Sequence, residues 1–281
     1  MRACVLGANG QLGRALTAAL PDAVAHTRDG LDIGDAAAVA GHDFSGVDVV
    51  FNAAAHTAVD RAEAEIAAAW RVNALGPAHL ADAAARHGFV LVHVSTEYVF
   101  DGTAPGPVPE DAPLAPLGVY GASKAAGELA VRSAPRHLVV RTSWVVGDGG
   151  NFVTTMARLA REGARPDVVD DQIGRPTFAP DLAAALITLA GTATGTFHVT
   201  GDGEPVSRHG LATEVFARCG RDPADVAPVT TAGYAAQRPG AAARPANSVL
   251  DLSRATRAGV SMPPWRDSLD RYLAAGDGVA R

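Results

Sequence analysis

Four short runs of branched apolar residues recur along the chain: "ACVLG" near 3–7, "VDVVFN" at 47–52, "FVLVHVS" at 89–95 and "HLVVRT" at 137–142, separated by alanine-rich stretches of helical character. Such alternation predicts parallel strands joined by crossover helices. The runs are almost continuously apolar, which suits strands covered by helices on both faces. The expected fold is α/β, a Rossmann-like doubly wound parallel sheet. After Thr142 the pattern loosens through "SWVVGDGGNF" and "PDVVDDQIGRPTFAPDL" before a last strand-like run, "GTFHVTG" at 195–201. A smaller C-terminal lobe is therefore expected. Residues 1–142 with 179–200 would form the cofactor-binding sheet domain, and 143–178 with 201–281 the substrate lobe. The Gly, Pro and Ala content of "TAGYAAQRPGAAARPANS" at 231–248 reads as a loop.

A chain of 281 residues, 48% of them hydrophobic, can bury a sizeable core. No window holds the roughly eighteen unbroken apolar positions of a membrane span, so none is expected. The start, "MRACVLGANG", enters a strand at once and lacks the features of a secretory signal, and a cytoplasmic protein is expected. A net charge of −6 without a dense Lys/Arg cluster disfavours nucleic acid and leaves a small molecule as the expected partner. Cys4 and Cys219 suggest neither a disulfide framework nor a metal site.

Directly after the first run, "VLGANGQLGRAL" places glycines at 7, 10 and 13 where a helix opens. The G-x-x-G-x-x-G spacing is close to the G-x-G-x-x-G dinucleotide fingerprint. It meets similar demands: a tight turn, close approach of backbone to a pyrophosphate, and close helix packing. Gly7, Asn9, Gly10, Gln11, Leu12 and Gly13 are thus candidate cofactor contacts, with the helix's free amides turned to phosphate. An acid at the end of the second strand would take the ribose 2′-hydroxyl, whereas an arginine there accommodates a 2′-phosphate. Here Thr27 and Arg28 come first, favouring NADPH, with NADH the second choice; the other reading of Arg28 is a solvated loop residue. Asp32, with Ile33 beside it, is a candidate for the adenine end. "NAAAHT" at 52–57 closes the third strand with small residues. Ala54, Ala55, His56 and Thr57 could let a cofactor lie against the backbone, or simply form a close-packed turn.

"GVYGASKAAGELA" puts Tyr120 and Lys124 one helical turn apart on one side, a spacing that proves little alone. Ser95 and Thr96 end the strand "VHVST" at the carboxyl edge of the sheet, where open α/β sheets bind ligands. A hydroxyl, a phenol and an ammonium then converge. Reducing a ketone by hydride puts negative charge on the carbonyl oxygen, so a proton donor must stand beside it. Tyr120 is the candidate donor. Its free pKa of about 10 is high for that task, and a nearby ammonium, Lys124, would lower it. The same lysine could hold the nicotinamide ribose, while Thr96 orients the substrate oxygen.

These residues resemble the dTDP-4-dehydrorhamnose reductase family of the extended short-chain dehydrogenase/reductase superfamily. The resemblance runs over nearly the whole chain. It is carried by "GANGQLG", "FNAAAHTAVDRAEAE", "VNALGP", "VHVSTEYVFDG", "VYGASKAAGE", "RTSWVVG", "NFVTTMARLA", "DDQIGRPT" and "RPANSVLD" together. It implies Thr96, Tyr120 and Lys124 as the catalytic set, Glu97 and Tyr98 as substrate contacts, and Trp144 on the substrate side, with buried core the other reading of that tryptophan. The family usually writes S-T-D-Y-V-F, so Glu97 is a departure that bears on sugar preference. Related enzymes place an asparagine like Asn151 on the diphosphate, although a helix N-cap is an equal reading. Arg175 and Arg244 would pair with the nucleotide's phosphates or with surface acids. Asn73 would cap or brace the third crossover helix, and His56, His93 and His198 read as packing residues.

The implied reaction is NADPH-dependent reduction of the 4-keto group of a dTDP-4-dehydro-6-deoxyhexose, such as dTDP-4-dehydro-L-rhamnose to dTDP-L-rhamnose. Alternatives are a 4-ketoreductase of a specialised deoxysugar pathway, a nucleotide-sugar epimerase or dehydratase, and a non-catalytic regulatory homologue. Dehydratases of the superfamily carry two acids after the threonine; here Glu97 is followed by Tyr98. Some relatives form a magnesium-bridged dimer through a glutamate on the first helix, where this chain has Ala15. A metal-free monomer is expected, with association through another surface left open.

Overall fold

Six parallel strands form the central sheet: β1 (Ala3–Leu6), β2 (Val24–His26), β3 (Val49–Asn52), β4 (Val90–Thr96), β5 (His137–Thr142) and β6 (Gly195–His198). Their order is β6-β5-β4-β3-β1-β2, with every neighbouring pair parallel. This is the doubly wound sheet the sequence predicts. The chain leaves β1 in one direction for β2 and then crosses to β3 on its other side. That reversal opens a crevice between the segments following β1 and β3. The computed structural model describes residues 1–238 and 240–276. Pro239, within the expected 231–248 loop, and 277–281, the end of the expected second lobe, lie outside the described residues.

The continuous apolar runs have a simple cause. Val5, Phe51, Val92 and Val140 point to one side of the sheet, where α1 (Gln11–Ala19) and, further along the chain, the helix Ala179–Thr192 cover them. Cys4, Leu6, Val50, Leu91 and Val139 point to the other side. There the helix Ala36–Gly41, hereafter α2, and α3 (Gly76–His87) supply Val39, Leu80 and Ala84. Successive strand residues thus face opposite layers, so both faces favour apolar side chains, and the polar residues buried there, such as His93 and Arg141, have hydrogen-bond partners. The helix that carries Tyr120 and Lys124, α4 (Val119–Val131), adds Val131 to the second layer. Beyond the Ala179–Thr192 helix (α6), a third apolar cluster joins α5 (Phe152–Arg161), α7 (Arg208–Arg218) and α8 (Trp265–Ala274) with their flanking strands. Met156, Phe178, Phe216 and Trp265 lie at its centre.

Residues 231–248 depart from the expected loop. Thr231–Ala236 is helical, capped by the Thr230 hydroxyl on the Gly233 amide, and Asn247 pairs with Ile173. The cause is long-range: Asp171 accepts hydrogen bonds from both the amide and the hydroxyl of Thr231. Cys4 is buried in β1, and Cys219 ends α7; both are free thiols.

The turn after β1 depends on two glycines. Gly7 has φ of +77°, a conformation that penalises any side chain. Gly13 sits in α1 with the Gly7 carbonyl so near that a Cβ would lie 2.0 Å from that oxygen. No rotamer relieves such a clash. Gly13→Ala should therefore lose at least about 1–3 kcal/mol of stability, read as a lower urea midpoint. An unchanged midpoint would contradict the close packing.

Candidate active site

β1, β3, β4 and β5 end at one edge of the sheet, and the segments leaving them line a cavity of about 690 Å³. Small-molecule sites span roughly 300–1,000 Å³. The glycine turn contributes Gly7, Asn9, Gly10, Gln11 and Leu12; Arg28, Asp32 and Ile33 follow β2; Ala54, Ala55, His56 and Thr57 follow β3. Thr96, Glu97 and Tyr98 extend from β4, Tyr120 and Lys124 from α4, and Trp144 and Asn151 from the segment after β5.

Three expected contacts do not line this cavity. Gly13 is turned into the loop against Gly7, and Thr27 falls outside the lining. Arg175 is committed elsewhere, donating to the carbonyls of Gly203 at 2.7 Å and Leu250 at 3.3 Å. That guanidinium ties together remote segments of backbone and is not placed for phosphate. Arg244 takes the other reading offered for it and pairs with Asp60 at 2.9 Å.

At the glycine turn the amides of Gly7 and Ala8 both reach the carbonyl of His26, tying β1 to β2. Gly10 stands at the N-cap of α1 with no side chain capping the helix, so the helix start offers bare N–H groups to the cavity. Arg28 is largely exposed and lies 3.5 Å from Asp32, which also pairs with Arg71 at 2.9 Å. Burial opposes ionisation of Asp32, yet Arg71, the Gly34 amide and Arg28 together hold its pKa below the usual value. Asn73 braces rather than caps. Its side chain accepts from the His56 amide and donates to the His56 carbonyl and to Ser123 on α4, locking the turn after β3 to that helix.

Around Tyr120 the groups are almost dry. Thr96 donates its hydroxyl proton to Glu97 Oε2 at 2.8 Å and is itself hydrogen-bonded to Tyr120. Tyr98 packs edge-on to the Tyr120 ring at 5.4 Å. Burial and the Glu97 carboxylate push the Tyr120 phenol above its ordinary pKa. The expected lowering by Lys124 is not found. Lys124 Nζ instead donates to the Val94 carbonyl at 2.6 Å and lies 3.2 Å from His93 Nε2. Burial lowers the Lys124 pKa to about 8, against the pull of Glu128. His93 is accordingly more than the packing residue expected of it, and His56 too has a polar partner, Glu65 at 2.9 Å.

Glu97 is buried, and that burial raises its pKa to about 7, against the opposing effects of Thr96, Arg208 and Ser248. Arg208 is the residue the sequence reading missed. It opens α7, far along the chain, and its guanidinium lies over the Trp144 indole, 3.7 Å from the ring centroid. No local motif marks it, since only the folding of α7 onto the segment after β5 brings it to the cavity wall. Trp144 holds φ of +48°, a costly backbone state for a bulky residue that aims the indole at this wall. Asn151 is the N-cap of α5, accepting from the Thr154 amide, while its NH₂ reaches Gly147 and Tyr272. Of its two readings, the cap is the one this geometry displays.

With this geometry in place, comparison with known proteins is decisive. Residues 1–277 match the family model described as the RmlD substrate binding domain. The chain belongs to this family. A dTDP-4-dehydrorhamnose reductase of Mycobacterium tuberculosis is 46% identical over 288 residues, covering 98% of this chain and 93% of that protein. The reductase of the same name from Streptomyces griseus is 45% identical, covering 96% and 92%. Among solved structures, a dTDP-4-dehydrorhamnose reductase from Bacillus anthracis in complex with NADP superposes with a TM-score of 0.90 at 35% identity, covering 98% of this chain and 99% of the other. Membership of the RmlD family accounts for the doubly wound sheet. The state of each side chain is this chain's own.

Glu97 yields a test of that kind. An acid whose pKa is raised on folding holds a proton the unfolded chain releases, so stability falls as pH climbs from about 4.5 to about 7 and stays lower above. Glu97→Gln keeps an acceptor for Thr96 and removes the titration. The variant should gain up to about 3 kcal/mol over the parent near pH 8.5 and little near pH 5. A difference in melting temperature that does not change with pH would contradict the burial argument.

Proposed function

We propose that this protein reduces the 4-keto group of a dTDP-4-dehydro-6-deoxyhexose with NADPH, converting dTDP-4-dehydro-L-rhamnose to dTDP-L-rhamnose. One observation carries the reading: Thr96, Tyr120 and Lys124 line the same cavity as the glycine turn, at the reversal point of the sheet. The names of its relatives support the substrate class, and the NADP of the Bacillus anthracis enzyme supports the cofactor.

The residues present fit a dinucleotide. A Cβ at Gly7 would lie 2.7 Å from the Ala54 backbone, so this wall is bare main chain, and the uncapped start of α1 suits a pyrophosphate. Gly7, Asn9, Gly10, Gln11 and Leu12 would hold it there, with Arg28 toward a 2′-phosphate and Ala54 to Thr57 along the opposite side. When bound, the cofactor supplies the hydride. Tyr120, kept protonated by its dry surroundings, passes the phenolic proton to the sugar's O4 as charge grows on it. Thr96 fixes the direction of that oxygen, and Lys124 holds the nicotinamide ribose. Glu97, Tyr98 and Trp144, with Arg208, would form the sugar side.

We assign the cofactor to residues 1–142 with 179–200, and the sugar nucleotide mainly to 143–178 with 201–281. Ala15 packs against the sheet's apolar layer and offers no ligand to an ion, and the proposed reaction is written without a metal. No described helix is long and apolar enough to cross a membrane.

Incubation with dTDP-4-dehydro-L-rhamnose and NADPH should consume the reduced cofactor's absorbance and give a C4 alcohol by NMR. Stable absorbance with intact sugar would refute the assignment. Tyr120→Phe should keep NADPH binding and lower turnover about 10²- to 10⁴-fold. Retention of more than about half the rate would remove Tyr120 from the mechanism.

A further inference from the structure

Beneath the cavity, Asn52, His93 and Lys124 form a line of buried side chains that the reaction as described does not use in full. Asn52 and His93 are opposite residues of β3 and β4, and Lys124 comes down onto them from α4. Hydrogen-bond counting constrains their protons. Asn52 Oδ1 accepts from the Ala54 amide at 3.2 Å, so its NH₂ is the end that meets His93 Nδ1 at 3.0 Å. Nδ1 must then accept. A neutral imidazole that accepts at Nδ1 carries its proton on Nε2, and that N–H faces Lys124 Nζ at 3.2 Å. Only an amine with a free lone pair can receive it. An ammonium there would set donor against donor. Turning the Asn52 amide over to avoid this would leave the Ala54 N–H facing an NH₂ group.

We propose that His93, held by Asn52, disfavours the ammonium form of Lys124, and that in mildly alkaline solution binding of NADPH is coupled to the uptake of a solvent proton by Lys124. The inference rests on the assignment of Lys124 to the cofactor ribose. The ammonium is the form that ribose hydroxyls and a polyanionic cofactor favour, and the form that can support the Tyr120 phenolate. His93 Nε2–H disfavours it until Lys124 is drawn away. Burial acts in the same direction, moving Lys124 to about 8 and His93 well below its usual range.

The neighbouring charges do not cancel this. Glu128, one turn further along α4, is bonded to Arg141 of β5 at 2.7 Å and to Ser95 of β4 at 2.6 Å, and its pull on Lys124 is second to burial. Tyr120 is protonated on the same helix, and Glu97 lies next to Thr96 at the end of β4. From the segments packed outside α4, Glu63 is bonded to the Val119 amide at the helix start, and Asn73 to Ser123.

The test is calorimetric titration of NADPH into the full-length protein in buffers of different ionisation enthalpy, which counts protons without any turnover. Near pH 8.5 the cofactor's 2′-phosphate, with a second pKa of about 6, is already ionised and contributes none. The wild type should take up most of one proton there and almost none near pH 6.5, where Lys124 is already charged. Lys124→Met should bind more weakly with no uptake. His93→Asn should lower the uptake near pH 8.5 by letting Lys124 stay charged. Binding without uptake at pH 8.5, uptake that grows toward pH 6.5, or uptake intact in Lys124→Met would each overturn the proposal. Failure to bind NADPH at all would instead overturn the cofactor assignment. Should His93→Asn not fold, the wild-type pH profile and Lys124→Met still decide.

Discussion

A buried ion pair holds α4, the helix of Tyr120 and Lys124, to the sheet. Glu128 on α4 is fully buried and accepts from Arg141 through Nε at 2.9 Å and a terminal nitrogen at 2.7 Å, while Ser95 donates to it at 2.6 Å. Arg141 also donates to the Glu110 carbonyl, so the charges sit in a nearly complete set of hydrogen bonds. Removing one partner from such a pair typically costs about 3–5 kcal/mol. Glu128 lies one turn from Lys124 and two from Tyr120, on the same side of α4. The bond that fixes Glu128 over β4 and β5 therefore also fixes where the phenol and the amine reach the sheet edge.

That placement gives the site its electrostatic character. Burial raises Glu97 to about 7, raises Tyr120, and lowers Lys124 to about 8, so each group moves toward its neutral form. A cavity prepared this way keeps an acid proton available on Tyr120 and leaves charge to be supplied by what enters. Arg208 moves the same way, burial lowering its pKa to about 10, yet it stays cationic at neutral pH over the face of Trp144, with Tyr98 and Glu97 acting against the burial.

Much of this was legible in the chain because it depends on neighbours in sequence. The run "HLVVRT" is β5 from its first residue to its last, its Leu138, Val139 and Val140 serving the two apolar layers. The glycines of "GANGQLG" announced a strand-to-helix turn because main chain must approach main chain there, as the Gly13–Gly7 contact shows. What stayed hidden depends on closure of the fold. Arg208 reaches the cavity only when α7 docks, and Arg175 leaves it because Gly203 and Leu250 capture its donors. The helical spacing of Tyr120 and Lys124 put them on one side of α4. It could not reveal that Lys124 turns down to Val94 and His93, because those partners belong to a strand some thirty residues earlier in the chain.

In the proposed reaction this cavity directs hydride to C4 of the sugar while Tyr120 supplies the proton. The most direct measurement uses NADPH carrying deuterium at the transferred position of the nicotinamide, with dTDP-4-dehydro-L-rhamnose, and locates the label in the product by NMR. One deuterium on C4 per cofactor oxidised is expected, with the hydroxyl hydrogen drawn from solvent. Product without deuterium at C4, or cofactor that keeps its label while the sugar is transformed, would contradict it and point to epimerase- or dehydratase-type chemistry.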